Sequence, residues 1–590
     1  MGFKVFIKLF TINTFKPKIK TMFIFTSCTT KCRTLLVLFM GQVLISLTSC
    51  GDSKSPPLVT EALVNTAQEI TITPNLPDDL PSGASNASLA EAASFAWNEF
   101  IALNWAALPQ TGEANTRDNP DITKLFGDQS APLVWHTYRS KVEIYPWNNH
   151  YPNGSTLQGD TLLVFNYDAL PKYFYKDSIP PCLDASDDIA YINLDETSEI
   201  SLNFMFAGVN SKEATTTNSA PQLIRFLAKG NRSHFDYVTS KGYFNHGSNY
   251  YQDVLNYTNA IANDTVVPDS TIVNFPNGTI MVKAAWRLLT DKDTLSQYHT
   301  TKVRYYETKN GNTCYYQDTN WGLVALHIIH KTATAPYFTF ATFEQKDNIL
   351  TADGKPVEDA NGKVINPTGF TTPTSPEVFH TDSPTAGTTT TIKDPYCDAS
   401  DNRLFYQNTA TGLPSDGSIC VNSRYHNIPQ PIIDANIAAH KAIQKYDSAN
   451  NITNSPWRYY KLVNIQYQPF DSTQIGSDTN KLASTYYQAN IVVETNYTLQ
   501  MFGGRQIATG NEAGQTSNYA NGQPFYNVHI PEGLNYKKIN MGGCMGCHGN
   551  AQVAGNDFSF ILRGGPVMEP EAPNFDPKEI DKLANKYRFR

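Results

Sequence analysis

An α+β fold is predicted for this chain by three features: short runs rich in β-branched and aromatic residues, a few amphipathic stretches at helical spacing, and no strict alternation between them. Its 32 Tyr and 31 Phe, with 35 each of Gly and Pro, point to many short strands joined by turns. At 590 residues the chain is long enough for two or more domains, or for one large domain with an appendage. A formal charge of −8 with no basic stripe to offset it argues against a nucleic-acid partner.

The first strong element is a helix over 89–108, LAEAASFAWNEFIALNWAAL, whose apolar residues fall at helical spacing and which Pro109 ends. Strands are expected at 131–145, 161–167, 199–208, 221–228, 302–307, 321–332, 337–345 and 458–470, each bounded by Gly, Pro, Asn or Asp. Further helices are expected near 248–263, 430–447 and 480–501. Residues 350–425, full of Thr, Pro, Asp, Asn and Gly, read as a long excursion from the domain.

The N-terminus reads as an export signal. Residues 35–47 form an apolar stretch of signal-peptide length behind Lys31 and Arg33, too short for a comfortable membrane span. It ends Leu47-Thr48-Ser49-Cys50-Gly51, which resembles the lipobox of bacterial lipoproteins. That resemblance implies removal of 1–49 and a lipid on Cys50, with Gly51 after the Cys leaning towards an outer membrane; separately, the first 21 residues look redundant, so Met22 competes with Met1 as the start. Residues 50–86, rich in Pro, Ser, Asp and Asn, are expected to be a flexible tether. A large domain is expected over 87–535 and a terminal segment over 536–590.

That terminal segment carries the chain's most specific signal, Cys544-Met545-Gly546-Cys547-His548. Two thiols two residues apart can add to the vinyl groups of a haem, and the histidine that follows can bind the iron. With 9 Cys and 12 His in the chain, chance supplies such a pentapeptide only roughly 0.003 times. A thiol redox pair would call for a thioredoxin-like setting, and a zinc site for a second ligand pair; neither pattern is present in the sequence. One haem c is therefore expected, with Cys544 and Cys547 as its covalent anchors and His548 as proximal ligand.

Only 42 residues follow His548, fewer than a free-standing haem module needs, so the segment is expected to dock on the large domain. Met568, 20 residues further on, is the local candidate for the distal ligand. His136, His327 and His330 are candidates from the large domain, and strand geometry would turn His327 and His330 to opposite faces. Cys182, Cys314, Cys397 and Cys420 remain for two disulfides with three connectivities; Cys397–Cys420 is the preferred pair, which leaves Cys182–Cys314. Lys331, Glu344 and Asp347, in or beside neighbouring strands, could mark a polar pocket or an ordinary buried ion pair.

The stretches FAWNEFIALNW (95–105), PLVWHTY (132–138), VKAAWRLL (282–289), 321–348 and CMGCHGNAQVAGNDFSFIL (544–562) resemble a largely uncharacterised family of secreted bacterial proteins with a single C-terminal c-type haem motif. The resemblance implies export and haem binding but no reaction; Phe340, where a Trp is more typical, departs from it. The leading expectation is an extracytoplasmic, membrane-anchored monohaem cytochrome that exchanges electrons with a redox partner protein or a small donor or acceptor. Two others stand beside it: a peroxidase- or oxidase-like haem enzyme acting on an organic substrate, and a surface binding lipoprotein with a structural haem.

Overall fold

Ser88 starts the first helix by accepting a hydrogen bond from the Glu91 backbone amide at 3.2 Å, and α1 then runs Leu89–Leu103. It stops short of the predicted 108 because Asn104 turns its amide group onto the Phe100 carbonyl (2.7 Å) and accepts the Trp135 indole N–H (3.0 Å). The computed structural model describes residues 69–147, 166–183, 189–197, 222–348 (apart from 264, 266 and 292), 355–366, 427–468 (apart from 454), 490–494 and 543–573, with short strands elsewhere. The chain forms two compact units, Met1–Val64 and Asn65–Arg590. In the first, three short antiparallel strands cover Phe23–Ser27, Arg33–Phe39 and Val43–Leu47. No helix among the described residues is long and apolar enough to cross a membrane. Cys50, Cys397 and Cys420 lie outside the described residues.

The second unit is α+β, built on an eight-stranded mixed sheet. Its strands are β1 (Arg139–Ser140), β2 (Ile192–Leu194), β3 (Arg225–Gly230), β4 (Ile280–Leu288), β5 (Thr300–Lys309), β6 (Asn312–His330), β7 (Thr339–Gln345) and β8 (Tyr460–Gln466). The order is β8-β7-β6-β4-β3-β1; β5 pairs with the first half of β6, and β2 runs parallel to β5. The β5–β6 hairpin turns at Asn310-Gly311, both at positive φ (53° and 80°), as a tight hairpin of matching twist requires.

Alternation along the strands gives the sheet two different faces. On one, Phe343 meets Trp97 at 5.2 Å and Phe100 at 4.3 Å, and His330 Nδ1 lies 2.5 Å from Glu99 Oε1, so α1 covers this side. Trp97 also donates its indole N–H to Asn436 of α4 (Gln430–Ala449) at 2.8 Å. Each fully buried apolar side chain here is worth roughly 1.5–3 kcal/mol over an exposed one. On the other face the register aligns Met281, Ile329, Phe340 and Gln466 in one row, and Lys283, His327, Thr342 and Asn464 in the next. Helices α2 (Arg232–Lys241) and α3 (Ser248–Asn263) lie between β3 and β4 in sequence.

Three further expectations need correction. Residues 131–145 do not form a strand: they fold as a 3-10 turn (Val134–Thr137), the two-residue β1 and a helical turn (Lys141–Ile144). The cause is local, since the Ser140 amide donates to the Glu143 carboxylate (3.0 Å) and buried Arg139 pairs with the same carboxylate (2.5 Å). The stretch 69–86, expected within the tether, packs on the body instead. Ile70, Leu80 and Ala84 are buried, and the Thr71 and Ala84 amides donate to Asn98 and Thr334. Strand β8 starts only after a 3-10 turn at Trp457–Tyr459 and ends at Gln466 rather than 470.

Of the other elements, 161–167 lies almost wholly outside the described residues, as does the 480–501 helix apart from a turn at 490–494; from 199–208 only the strand Met205–Ala207 is described. Cys182 and Cys314 form a disulfide that closes 132 residues of chain, beside hydrogen bonds from Cys182 N to the Tyr315 carbonyl and from Tyr315 N to the Pro180 carbonyl.

Candidate functional site

Cys544, Cys547 and His548 share α5 (Gly543–Val553). Spacings of three and four residues put all three along one side of the helix. Both cysteines are buried thiols, and Met545 between them is fully buried. After α5 the chain turns through Gly555 (φ 82°), Asp557 (φ 45°) and Phe558 (φ 64°) into a single-turn helix, α6 (Phe560–Gly564). Two consecutive non-glycine residues at positive φ cost about 1–2 kcal/mol each, so contacts elsewhere must hold them there.

Asp557 supplies those contacts. Its Oδ2 accepts from Lys331 Nζ (2.6 Å) and from the Phe275 amide (2.7 Å), and Lys331 also donates to Asn274 Oδ1 (2.6 Å). Both members of the ion pair are buried, and Lys331 borders a cleft of about 330 Å³ lined also by Asp269, Phe275 and Pro336. The turn so fixed presents the Phe558 carbonyl to His548 Nδ1 at 2.8 Å. A carbonyl only accepts, so Nδ1 carries the proton and Nε2 is left with its lone pair. Burial pushes the His548 imidazole down to about 4; the Phe558 bond opposes this and Lys283 adds to it, so the ring is neutral at pH 7. Burial likewise pushes the Cys544 thiol well above its ordinary range, with Glu494 and Cys547 contributing.

The segment sits on the second face of the sheet. His548 packs 5.0 Å from the ring of Phe340, the Met545 amide donates to Gln466 Oε1 (3.0 Å), and Ser559 Oγ lies 3.2 Å from Met281 Sδ. These three partners belong to one row across β8, β7 and β4. Helix α3 grips the turn from the other side, where Tyr250 donates to Asn556 Oδ1 (2.6 Å) and a side chain at Gly555 would strike Val254. Further on, the Thr308 amide donates to the Pro573 carbonyl, and the Glu571 carboxylate accepts from the Thr197 amide and hydroxyl.

Among the other candidates, His327 lies one row along from Phe340. Its Nε2 has no hydrogen-bond partner among the described residues and is 4.0 Å from Glu494 Oε1. Burial pushes this imidazole down to about 3, with the charges of Lys283 and His548 adding to the effect. His330 faces α1 and is engaged by Glu99, as the alternation of strand faces predicted. His136 packs against Trp135, Trp286 and His299 in a separate ring cluster. Met568 is 41% exposed, and its neighbour Val567 packs with Val142, Tyr175 and Tyr306, a group distinct from the core that holds Cys544 and Cys547. Lys331, Glu344 and Asp347 do not share a pocket: Lys331 pairs with Asp557, Glu344 accepts from the Ile491 amide (2.6 Å), and Asp347 pairs with Lys346.

These residues fit a c-type haem on the donor chemistry they offer: two thiols and a neutral imidazole on one helix side, with the imidazole's outer nitrogen already fixed. Among the described residues no cluster of three or more His, Cys, Asp or Glu could hold a metal ion by itself. A porphyrin brings four nitrogens of its own, so a single histidine suffices. Comparison with protein families, with curated proteins and with solved structures gave no match.

Proposed function

We propose that this chain is an extracytoplasmic monohaem c-type cytochrome that transfers electrons, its C-terminal segment carrying the haem and its large domain covering it. Cys544 and Cys547 would hold the porphyrin through thioethers and His548 would bind the iron through Nε2. The observation that carries this reading is the 2.8 Å contact between His548 Nδ1 and the Phe558 carbonyl, which leaves the other ring nitrogen with the lone pair that an iron would take. When bound, the haem supplies an iron that cycles between ferric and ferrous states.

The chain's own residues then do three things. Asp557 and Lys331 fix the turn that orients His548. Phe340 and Phe560, each with its ring 5.0 Å from that of His548, pack against the imidazole from two sides. The packing of 543–573 against the sheet would hold the haem's anchoring residues in place, and a site so held lowers the reorganisation that electron transfer requires. The likeness to secreted proteins with one C-terminal haem motif supports export, and Cys50 would then anchor the protein to a bacterial membrane, with the outer membrane favoured. The partner would be a redox protein or a small donor or acceptor. Reduced-minus-oxidised spectra of the full chain, made in a host that attaches haem c, test this reading. Sharp c-type bands that appear on reduction and vanish on reoxidation are expected, and their absence would remove it.

A further inference from the structure

We infer that His327 is the sixth ligand of the iron, so that the haem is held between two histidines, one from the terminal segment and one from the centre of the sheet. The inference rests on the proposed haem at Cys544, Cys547 and His548.

Three observations lead to it. First, the register of β6 and β7 sets His327 opposite Thr342 and Ile329 opposite Phe340, on the same face. Phe340 is the residue whose ring touches His548 at 5.0 Å. Successive same-face residues along a strand are roughly 7 Å apart and neighbouring strands roughly 5 Å, so the His327 backbone lies only roughly 8 Å from that of Phe340. Second, the ring of His327 is largely buried, with its side chain 14% exposed, and its Nε2 has no hydrogen-bond partner among the described residues. A buried imidazole nitrogen that keeps its lone pair is one that a metal can take. Third, the polar row is built into the fold. Lys283 and Thr342 flank His327, Asn464 lies beyond Thr342 in the same row, and the turn at 490–494 is pinned beside that row by Asn490 donating to Thr342 Oγ1 (3.0 Å) and the Phe343 carbonyl (3.0 Å).

The competing ligands are placed less well. His330 is on the opposite face, bonded to Glu99; His136 belongs to another ring cluster; Met568 is 41% exposed, beside Val567 in a separate apolar group. A second imidazole gives a low-spin, six-coordinate iron and closes it to exogenous ligands, which suits a carrier of electrons rather than a peroxidase-like centre.

The test uses the full chain with haem attached and compares it with His327→Gly and His327→Met variants. The ferric wild type is expected to show the low-spin spectrum and electron paramagnetic resonance of two histidine ligands. His327→Gly is expected to turn high-spin and to recover the low-spin spectrum on addition of imidazole, which also shows that the variant is folded. His327→Met is expected to gain the weak red sulfur-to-iron charge-transfer band. A wild type that is high-spin, or a His327→Gly variant that stays low-spin, would overturn the assignment while leaving the haem proposal intact. A chain that carries no covalent haem in a competent host would overturn both.

Discussion

His548 and Phe558 meet through Nδ1 and a backbone carbonyl at 2.8 Å, across a turn in which Asp557 and Phe558 both hold positive φ. The strained turn persists because the Asp557 carboxylate is tied to Lys331, 226 residues earlier in the chain, at the end of β6. Removing either partner leaves a buried charge unpaired, a loss of about 3–5 kcal/mol. Asp557→Ala and Lys331→Met are each expected to lower stability in chemical denaturation by about that amount, whereas a pair that merely decorated the surface would cost under about 1 kcal/mol.

The two thiols predict a graded response. Cys544→Ser and Cys547→Ser should each leave one thioether, so that one vinyl stays conjugated with the ring and the reduced pyridine haemochrome band moves to longer wavelength. The double variant should carry no covalent haem. Equal retention of covalent haem in the double variant would show that α5 is not the attachment site.

The disulfide between Cys182 and Cys314 closes a long loop, 132 residues, that spans β2, β3, β4 and β5. Replacing both cysteines by serine is expected to cost about 2–4 kcal/mol, chiefly by releasing the unfolded chain. Denaturant titrations of the two proteins under non-reducing conditions measure this, and unchanged midpoints would show that the crosslink contributes nothing.

His299 is fully enclosed, 5.1 Å from both the His136 and Trp457 rings, and neither of its ring nitrogens has a partner among the described residues. Burial pushes its imidazole from 6.5 down to about 3. Between those two values the unfolded chain holds the extra proton, so stability falls as pH drops from about 6.5 towards 3, by at most about 1.4 kcal/mol per pH unit. His299→Phe should flatten that part of the melting-temperature profile. An identical slope in the variant would show that another group carries it.

Some of this was legible before the structure and some was not, for reasons that differ residue by residue. The spacing of Cys544, Cys547 and His548 is local, and the structure places all three on α5. Helices α3 and α4, the body of α1, strands β5 and β7 and the second half of β6 read from the sequence, where periodicity and burial agree; the first half of β6, over 312–320, did not. Residues 131–145 misled because Val, Trp, Tyr and Ile there are buried by a tightly turned chain rather than a strand, although Ser140-Lys141-Val142-Glu143 carries the S-x-x-E signature of a helix start. Helix α2 also escaped notice, its apolar residues being few among charged and hydroxyl side chains. The pairing of Asp557 with Lys331, and the placement of Glu494 near His327, join residues more than 160 positions apart, which no local pattern encodes. Lys331 and His327 were visible as candidates only because charge and imidazole inside an apolar strand-rich stretch need a reason.

The central claim is that a porphyrin is covalently fixed to Cys544 and Cys547. Intact mass spectrometry of the full chain, produced with a haem c maturation system and denatured in acidified organic solvent, addresses it most directly. The expected result is a polypeptide that keeps its colour after extraction and carries the added mass of one haem. A colourless chain of unmodified cysteines, from a host that matures a control cytochrome normally, would contradict the account.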